Sequence, residues 1–281
     1  MPELPEVETI VRQLRPTLTG RTVLRAEVRW ARTIAQPAAR RFGAELAGRR
    51  ITALRRRGKF WILDLDDGRA LVGHLRMTGR LHVGRAPDEA FARVVFHLDG
   101  GERLVFSDVR KFGRLALVDR PEQATGALGP EPLDLRGDWL HAALHARRRR
   151  LKPLLLDQAF LAGLGNIYVD ESLHRAGLHP LRSSASVTRS QANALAAAIR
   201  HTLAHAIAAD GSSFDTFYRT PEGRPGAYQD QFAVYGRDGQ PCRACGARIR
   251  RLVVGQRGTH VCPQCQPAPR GLRGTVLARG S

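Results

Sequence analysis

Residues 241–266 read PCRACGARIRRLVVGQRGTHVCPQCQ, with the cysteines spaced as Cys242-x2-Cys245-x16-Cys262-x2-Cys265. Two cysteines separated by two residues can bite one metal through a tight turn, and four thiolates complete a tetrahedral zinc site. With every position filled by protein, the expectation is one structural Zn2+ that has no open position for water chemistry. The alternating stretches Arg248–Gln256 and Thr259–Val261 predict a β-hairpin between the pairs, with Gln256-Arg257-Gly258 at its tip. Arg257 is either an exposed surface arginine or well placed to reach a phosphate.

Upstream of this module the pattern changes twice. From Thr22 to about Leu117 short apolar or alternating runs recur at Val23–Val28, Ile51–Leu54, Phe60–Leu65, Ala70–Leu75, Arg93–Leu98, Leu104–Phe106 and Arg114–Val118. Turn signals such as Asp66-Asp67-Gly68 and Asp99-Gly100-Gly101 punctuate them, which suggests a β-sandwich or barrel. Beyond a Gly/Pro linker the periodicity becomes helical, at Asp138–Ala146, Lys152–Ala159, Asn166–Ala176 and Arg189–Ala209. Gly211–Tyr228 is rich in glycine and poor in apolar residues, and reads as a mobile loop. The expected organisation is therefore 1–125 β-sandwich with a flanking helix, 126–137 linker, 138–231 helical domain, 232–266 finger and 267–281 disordered Gly/Arg/Pro tail. Together these make an α+β multidomain chain.

Forty-five basic residues against 26 acidic ones give a formal charge of +19. Such a field attracts polyanions, nucleic acid first and an anionic membrane surface second. Arginine outnumbers lysine so heavily that Lys59, Lys111 and Lys152 are the only lysines, and a GC-rich coding sequence alone can produce that bias. An ammonium can release its proton and fits where a planar guanidinium does not, so these positions are candidates for amine-specific work. The run Arg147–Arg150 is either a solvated helix face or a phosphate contact. No stretch approaches the length of a membrane span, and the acidic, proline-broken start is unlike a secretory leader, so the expected location is the cytoplasm.

The chain begins Met-Pro-Glu-Leu-Pro-Glu-Val-Glu-Thr. Val7, Ile10, Val11, Leu14 and Leu18 lie on one helical face, with Pro5 suited to the first turn and Glu6 and Glu8 complementing the dipole. By itself this is an ordinary N-terminal helix. Trimming of Met1 would, however, expose the secondary amine of Pro2, with an ordinary pKa of roughly 7.7–8.0. Such an amine can attack an electrophilic carbon and form a permanently charged iminium, with Glu3 beside it as a candidate acid.

The Pro-Glu start, β-rich domain, helical domain and four-cysteine finger together resemble the formamidopyrimidine-DNA glycosylase family, over nearly the whole chain from Pro2 to Gln266. The segment Gln158-Ala-Phe-Leu-Ala-Gly-Leu-Gly-Asn-Ile-Tyr-Val-Asp-Glu171 matches the family's helix–two-turn–helix signature. The resemblance implies a bifunctional glycosylase and abasic-site lyase of base excision repair that removes 8-oxoguanine and formamidopyrimidines. It would do so through a Pro2 iminium followed by β- and δ-elimination. Double-stranded DNA with oxidised purines or abasic sites would be the partner, bound across a cleft between the domains by a monomer in the bacterial cytoplasm or nucleoid. No catalytic metal or organic cofactor is implied.

By position, Pro2 would be the nucleophile, Glu3 the acid, Lys59 an aid to elimination and a phosphate contact, and Arg257 the finger's grip on the phosphates flanking the lesion. Glu6 resembles a further acidic residue near the lesion. His74-Leu-Arg-Met77 and Asp108-Val-Arg110-Lys-Phe112 resemble the loops whose methionine, arginine and phenylalanine fill the hole left by an extruded base. Without the family, Met77 and Phe112 would read as core and Arg110 as a surface charge. Arg148, Lys152, Asn166, Tyr168 and Tyr235 match further DNA contacts, and the Gly211–Tyr228 loop would cover the extruded base. One departure stands out: Ala90-Phe91-Ala92 occupies the place of a His-x-His pair that many relatives carry, so a DNA contact there is lost or displaced. Two other functions fit the pattern: an oxidised-pyrimidine glycosylase of the sister branch, and a non-catalytic DNA binder that keeps the scaffold.

Overall fold

A computed structural model of the 281-residue chain describes residues 1–84, 90–214 and 217–269. The proposed disordered tail lies, from residue 270 on, outside the described residues. Two compact units emerge, Met1–Ala127 with Ile207–Gln229, and Leu128–Ala206 with the segment beginning at Asp230.

In the first unit helix α1 (Leu4–Leu18) buries Leu4, Val7, Ile10, Val11, Leu14 and Leu18, the face that the periodicity marks out. Glu3 and Glu6 close a reciprocal capping box at its start, satisfying amides that have no partner within the helix. Strands β1 (Thr22–Val28), β2 (Ile34–Gln36), β3 (Arg49–Arg57), β4 (Phe60–Leu65), β5 (Ala70–His74), β6 (Gly79–Gly84), β7 (Ala92–Leu98), β8 (Arg103–Asp108) and β9 (Arg114–Val118) follow, with helix α2 (Ala39–Leu46) before β3. Their order across the sheet is β2-β9-β5-β4-β3-β1-β7-β8-β6.

The β3–β1 seam is only two residue pairs long, Thr22 with Arg50 and Val23 with Arg49. On either side of it the sheet behaves as two leaves. Leu54, Leu63, Leu71 and Leu115 from one leaf and Leu81, Phe96, Leu104 and Phe106 from the other share a single core with α1. This is the expected β-sandwich with its flanking helix. Trp61 is fully buried opposite Gly73, where an added Cβ would fall 2.0 Å from the indole ring, so only glycine fits that register. The sequence pattern does not mark β2, β6 or α2: β2 is too short for alternation to register, and Gly79 reads as a turn although it opens β6.

The 207–229 segment belongs with this unit, whereas the sequence pattern predicts one helical domain from 138 to 231. The reason is packing. Tyr218 is a member of the sandwich core and its hydroxyl donates to the Asp210 carbonyl (3.0 Å), while Gln13 of α1 donates to the Asp210 carboxylate (3.3 Å).

A short helix α3 (Glu122–Thr125) ends the N-terminal part. The second unit holds α4 (Gly137–His145), α5 (Leu151–Leu155), α6 (Asn166–Arg175) and α7 (Arg189–Ala208, to Ala206 in this unit), then β10 (Arg250–Val254) and β11 (Arg257–Val261). Leu144, Leu151, Leu155, Leu164, Val169 and Leu173 are buried in it. Helix α5 stops well short of the expected Ala159. Asp157 starts a new turn there, its side chain accepting from the Ala159 amide (3.1 Å) and its carbonyl from Phe160 and Leu161. No described helix is long and apolar enough to cross a membrane.

Candidate functional site

The N-terminal cluster is assembled from segments far apart in sequence. Pro2, Glu3 and Glu6 are all buried at the start of α1, with Met1 partly exposed ahead of them. Glu6 is held from two sides: one carboxylate oxygen accepts from the Glu3 amide (2.8 Å), the other from the Ser212 amide (2.8 Å) and hydroxyl (3.3 Å). Gly211 has φ +77° and lies against the Glu6 side chain, where a Cβ would approach to 2.9 Å. Beneath it, burial together with the Glu6 charge pushes the Tyr218 phenol above its ordinary range, so it stays a neutral donor.

Lys59 sits in the tight turn between β3 and β4, after Gly58 at φ +55°, and is buried. Its strand neighbour Phe60 packs edge-on against His74, ring centroids 4.7 Å apart, across the β4–β5 ladder. Burial, with the nearby Arg76 and Lys59 charges, pushes His74 down to about 3. Its Nδ1 accepts from the Arg76 amide (2.9 Å), so the neutral ring carries its proton on Nε2.

Two loops of this unit are tied together by Asp108, which is 1% exposed. Its carboxylate accepts from the Thr78 hydroxyl (2.5 Å), the Arg110 amide (3.2 Å) and the Gly113 amide (2.7 Å). Met77, next to Thr78, is 37% exposed and Phe112 is 49% exposed. The Arg110 guanidinium lies 4.8 Å from the Phe112 ring centroid. An exposed methionine, phenylalanine and arginine on braced loops are not core residues; they are available to a ligand.

In the second unit Gln158 braces the turn ahead of α6, accepting from the Gly163 amide (3.0 Å) and donating to the Leu156 and Leu164 carbonyls. This sets Asn166 at the first turn of α6, where it donates to the Gly258 carbonyl (2.9 Å) and the Tyr235 hydroxyl (3.3 Å). Arg257 is exposed beside a two-residue turn in which Gly255 and Gln256 both have positive φ, the geometry that closes a twisted hairpin. Arg148 is exposed and Tyr235 half-buried, packed edge-on against His260.

Two of the expected DNA contacts are corrected here. Tyr168 is 0% exposed, a core side chain of α6 that a duplex does not reach. Lys152 is equally enclosed, its ammonium donating to Asp170 (2.7 Å) and to the Gly258 carbonyl (3.0 Å). It ties α5 and α6 to the hairpin.

The four thiols of Cys242, Cys245, Cys262 and Cys265 lie within 4.8 Å of one another, with Cys242 and Cys265 at 3.9 Å and Cys245 and Cys262 at 3.4 Å. Zinc–sulfur bonds of about 2.3 Å place tetrahedral sulfurs roughly 3.8 Å apart, so the donor set fits zinc. Gln266, fully buried, accepts from the Cys262 amide (3.0 Å) and donates to the Leu178 carbonyl (2.9 Å), locking the second pair.

Several supporting residues escape a sequence reading. Asp170 takes the His260 amide (2.9 Å) besides Lys152, and its neighbour Glu171 takes the amides of Ala233, Val234 and Tyr235 (2.8, 2.9 and 2.8 Å). Burial raises the Glu171 carboxyl above its usual value, partly offset by those three donors. Ser212, Thr78, Asp108 and Gln158 escape it in the same way. Asp170 and Glu171 stand inside the quoted helix–two-turn–helix stretch, which was their only signal.

Comparison with known proteins accords with this geometry. Residues 1–115 match the model of the formamidopyrimidine-DNA glycosylase N-terminal domain, 128–218 the formamidopyrimidine-DNA glycosylase H2TH domain, and 239–268 a zinc finger found in FPG and IleRS. The chain is 48% identical to a formamidopyrimidine-DNA glycosylase of Chloroflexus aurantiacus over 276 residues, covering 95% of this chain and 98% of the relative. It is 47% identical to that of Heliobacterium modesticaldum, covering 95% and 100%. Among solved structures it is similar to the MutM (FPG) protein of Thermus thermophilus (TM-score 0.85, 43% identity, covering 95% and 100%). It is similar also to Lactococcus lactis FPG (MutM) in complex with a Fapy-dG containing DNA (TM-score 0.87, 34% identity, covering 95% and 100%). With this degree of identity along nearly its whole length, the chain belongs to the formamidopyrimidine-DNA glycosylase family.

Proposed function

We propose that the protein is a DNA glycosylase of base excision repair that removes oxidised purines, 8-oxoguanine and formamidopyrimidines, and cuts the strand at the resulting abasic site. The observation that carries this is the conjunction of the Pro2-Glu3 start with a buried, doubly anchored Glu6 and a buried Lys59 in the same unit of a family member. A scaffold kept only for binding has no need of this set.

Removal of Met1 frees the Pro2 nitrogen. The amine attacks the anomeric carbon of the damaged nucleotide, the bond from that carbon to the base breaks, and the base leaves with the electron pair. Glu3 supplies the proton to the ring oxygen or the departing base. Once the nitrogen has lost its own proton, the bond from the anomeric carbon to the ring oxygen breaks, its electron pair leaving with that oxygen as the nitrogen lone pair closes the C=N bond. The resulting iminium is an electron sink that acidifies the neighbouring sugar hydrogens, so loss of a proton expels the 3′ phosphate and a second elimination expels the 5′ phosphate. Lys59 assists these eliminations and contacts the lesion's phosphate.

Met77, Arg110 and Phe112 fill the gap left by the extruded base, with Arg110 facing the opposite cytosine, and the loop around 211–228 covers that base. An inserted wedge offsets part of the unstacking cost, a few kcal/mol. Asn166, Arg148, Tyr235 and Arg257 hold phosphates, a role supported by the helix N-terminus and the exposed arginines. Cys242, Cys245, Cys262 and Cys265 would hold a zinc ion that keeps the hairpin folded, with no open position for water chemistry.

The test is a lesion panel run with borohydride. Duplexes with 8-oxoguanine opposite cytosine are expected to be cleaved and trapped as a covalent adduct, ahead of thymine glycol duplexes. Preference for thymine glycol would move the protein to the pyrimidine-directed branch, and binding without any adduct would leave a non-catalytic binder.

A further inference from the structure

Of the three lysines, Lys59 and Lys152 are buried in the sites above; Lys111 does not enter them. It stands between Arg110 and Phe112 at φ +61°, a conformation unfavourable for a residue with a Cβ. Its ammonium lies 4.1 Å from the centre of the Trp30 ring, well within the range of a cation–π contact. While Arg110 and Phe112 stack on each other, the intervening lysine is thus docked on a separate, half-buried aromatic. Trp30 in turn donates its amide to the Arg93 carbonyl (3.2 Å), and the Arg93 side chain donates to the carbonyl of Asp108 (2.7 Å). The circuit from Trp30 through Arg93 and Asp108 along the loop to Lys111 closes back on Trp30.

We propose that Lys111 and Trp30 form a clamp that fixes the apex of the 108–113 loop, making them positioning residues for the base-reading pair Arg110 and Phe112. The Asp108 carboxylate secures the two ends of the loop, at the Arg110 and Gly113 amides, and among the described residues the apex has no backbone anchor of its own. The Lys111 contact supplies one. A lysine reaching for phosphate would have no need of the ring. The inference rests on the DNA-reading role proposed above for Arg110 and Phe112.

The scarcity of lysine makes the geometry testable without DNA. In full-length protein carrying 13C-labelled lysine, the Lys111 ε-methylene is expected to resonate upfield under the indole ring current, and to return to the ordinary position in Trp30→Leu. An ordinary position in the unsubstituted protein would overturn the clamp. Function is read from single-turnover cleavage of 8-oxoguanine opposite cytosine and opposite adenine. Lys111→Met and Trp30→Leu are each expected to lower the cytosine-over-adenine preference about two- to fivefold, the range of an exposed cation–π contact. The double variant should lose no more than either single one, Lys111→Arg and Trp30→Phe should retain most of the preference, and trapping on abasic duplexes should be unchanged. If Lys111→Met weakened binding with a smaller salt dependence while Trp30→Leu behaved as the parent, Lys111 would be a phosphate contact and the clamp would be wrong. Independent, additive effects would also refute it. A normal upfield shift in a protein that cleaves no 8-oxoguanine duplex would overturn the repair reading and the role proposed here for the clamp, but not the contact itself.

Discussion

The cysteine hairpin and the start of α1 are built on opposite plans. The hairpin's four ligands fall within one short stretch, and two of its braces, Gln266 and the Gly255-Gln256 turn, are in the same stretch. The α1 cluster instead joins Glu3 and Glu6 to Ser212, 206 residues beyond Glu6, in the same unit as Lys59 in a strand turn. A local site stands or falls as a piece of folding. A site gathered from distant segments on a sandwich can lose a chemical group and keep its shape. Substitutions in the two places should therefore fail differently, and that difference can be broken experimentally.

The largest effect is expected at the hairpin. Structural zinc in finger peptides contributes apparent binding free energies of about 10–16 kcal/mol, so dialysis against a strong chelator, or Cys262→Ser, should unfold the finger and abolish tight duplex binding. Binding isotherms before and after zinc removal check this, and unchanged affinity would remove the hairpin from the DNA interface. At α1 the expectation is the reverse: Glu3→Gln should slow base release roughly 10²–10⁴-fold, as loss of a general acid does, with zinc content and duplex affinity retained. Zinc analysis beside single-turnover kinetics separates the two, and a proportionate loss of affinity would make Glu3 a structural cap.

How much of this was legible beforehand follows the same division. The finger could be read from spacing alone, and α1 from its apolar face, because both are short-range patterns. The sandwich was legible as a class through turn signals and alternation. β2 and α2 were not, since three residues carry no period and Ala39-Arg-Arg-Phe-Gly-Ala-Glu-Leu46 buries only Phe42 and Leu46. Asp170 and Glu171 are adjacent acids on a helix, which in sequence look solvent-facing; only the fold reveals that one meets a buried lysine and the other three backbone amides. The same blindness made Lys152 and Tyr168 look like DNA contacts.

Lys152→Met sharpens the point on the hairpin side. Removing one partner of a fully buried ion pair strands the other, at a cost of about 3–5 kcal/mol. Denaturant unfolding should record that loss, with duplex affinity falling less than on zinc removal; a stability change under about 1 kcal/mol would contradict a buried pair. The smallest effect at neutral pH, where His74 is uncharged whether folded or unfolded, concerns the sandwich and shows only on its acid limb. His74 titrates near 6.5 when unfolded but at about 3 in the fold, so the unfolded chain binds the extra proton between those values. His74 therefore contributes stability that is full above pH 6.5 and declines as pH falls toward 3. His74→Gln should flatten that part of the stability profile, and an unchanged acid limb would show that His74 is not held neutral.

The most direct measurement is the identity of the residue joined to DNA. Purified full-length protein would be trapped by borohydride on an 8-oxoguanine duplex, digested, and the cross-linked peptide sequenced by mass spectrometry. A Pro2 nucleophile predicts a peptide that begins at Pro2, lacks Met1 and carries the reduced sugar on its nitrogen, and predicts no adduct for Pro2→Gly. An adduct on any other residue, or cleavage by protein that still carries Met1, would contradict it.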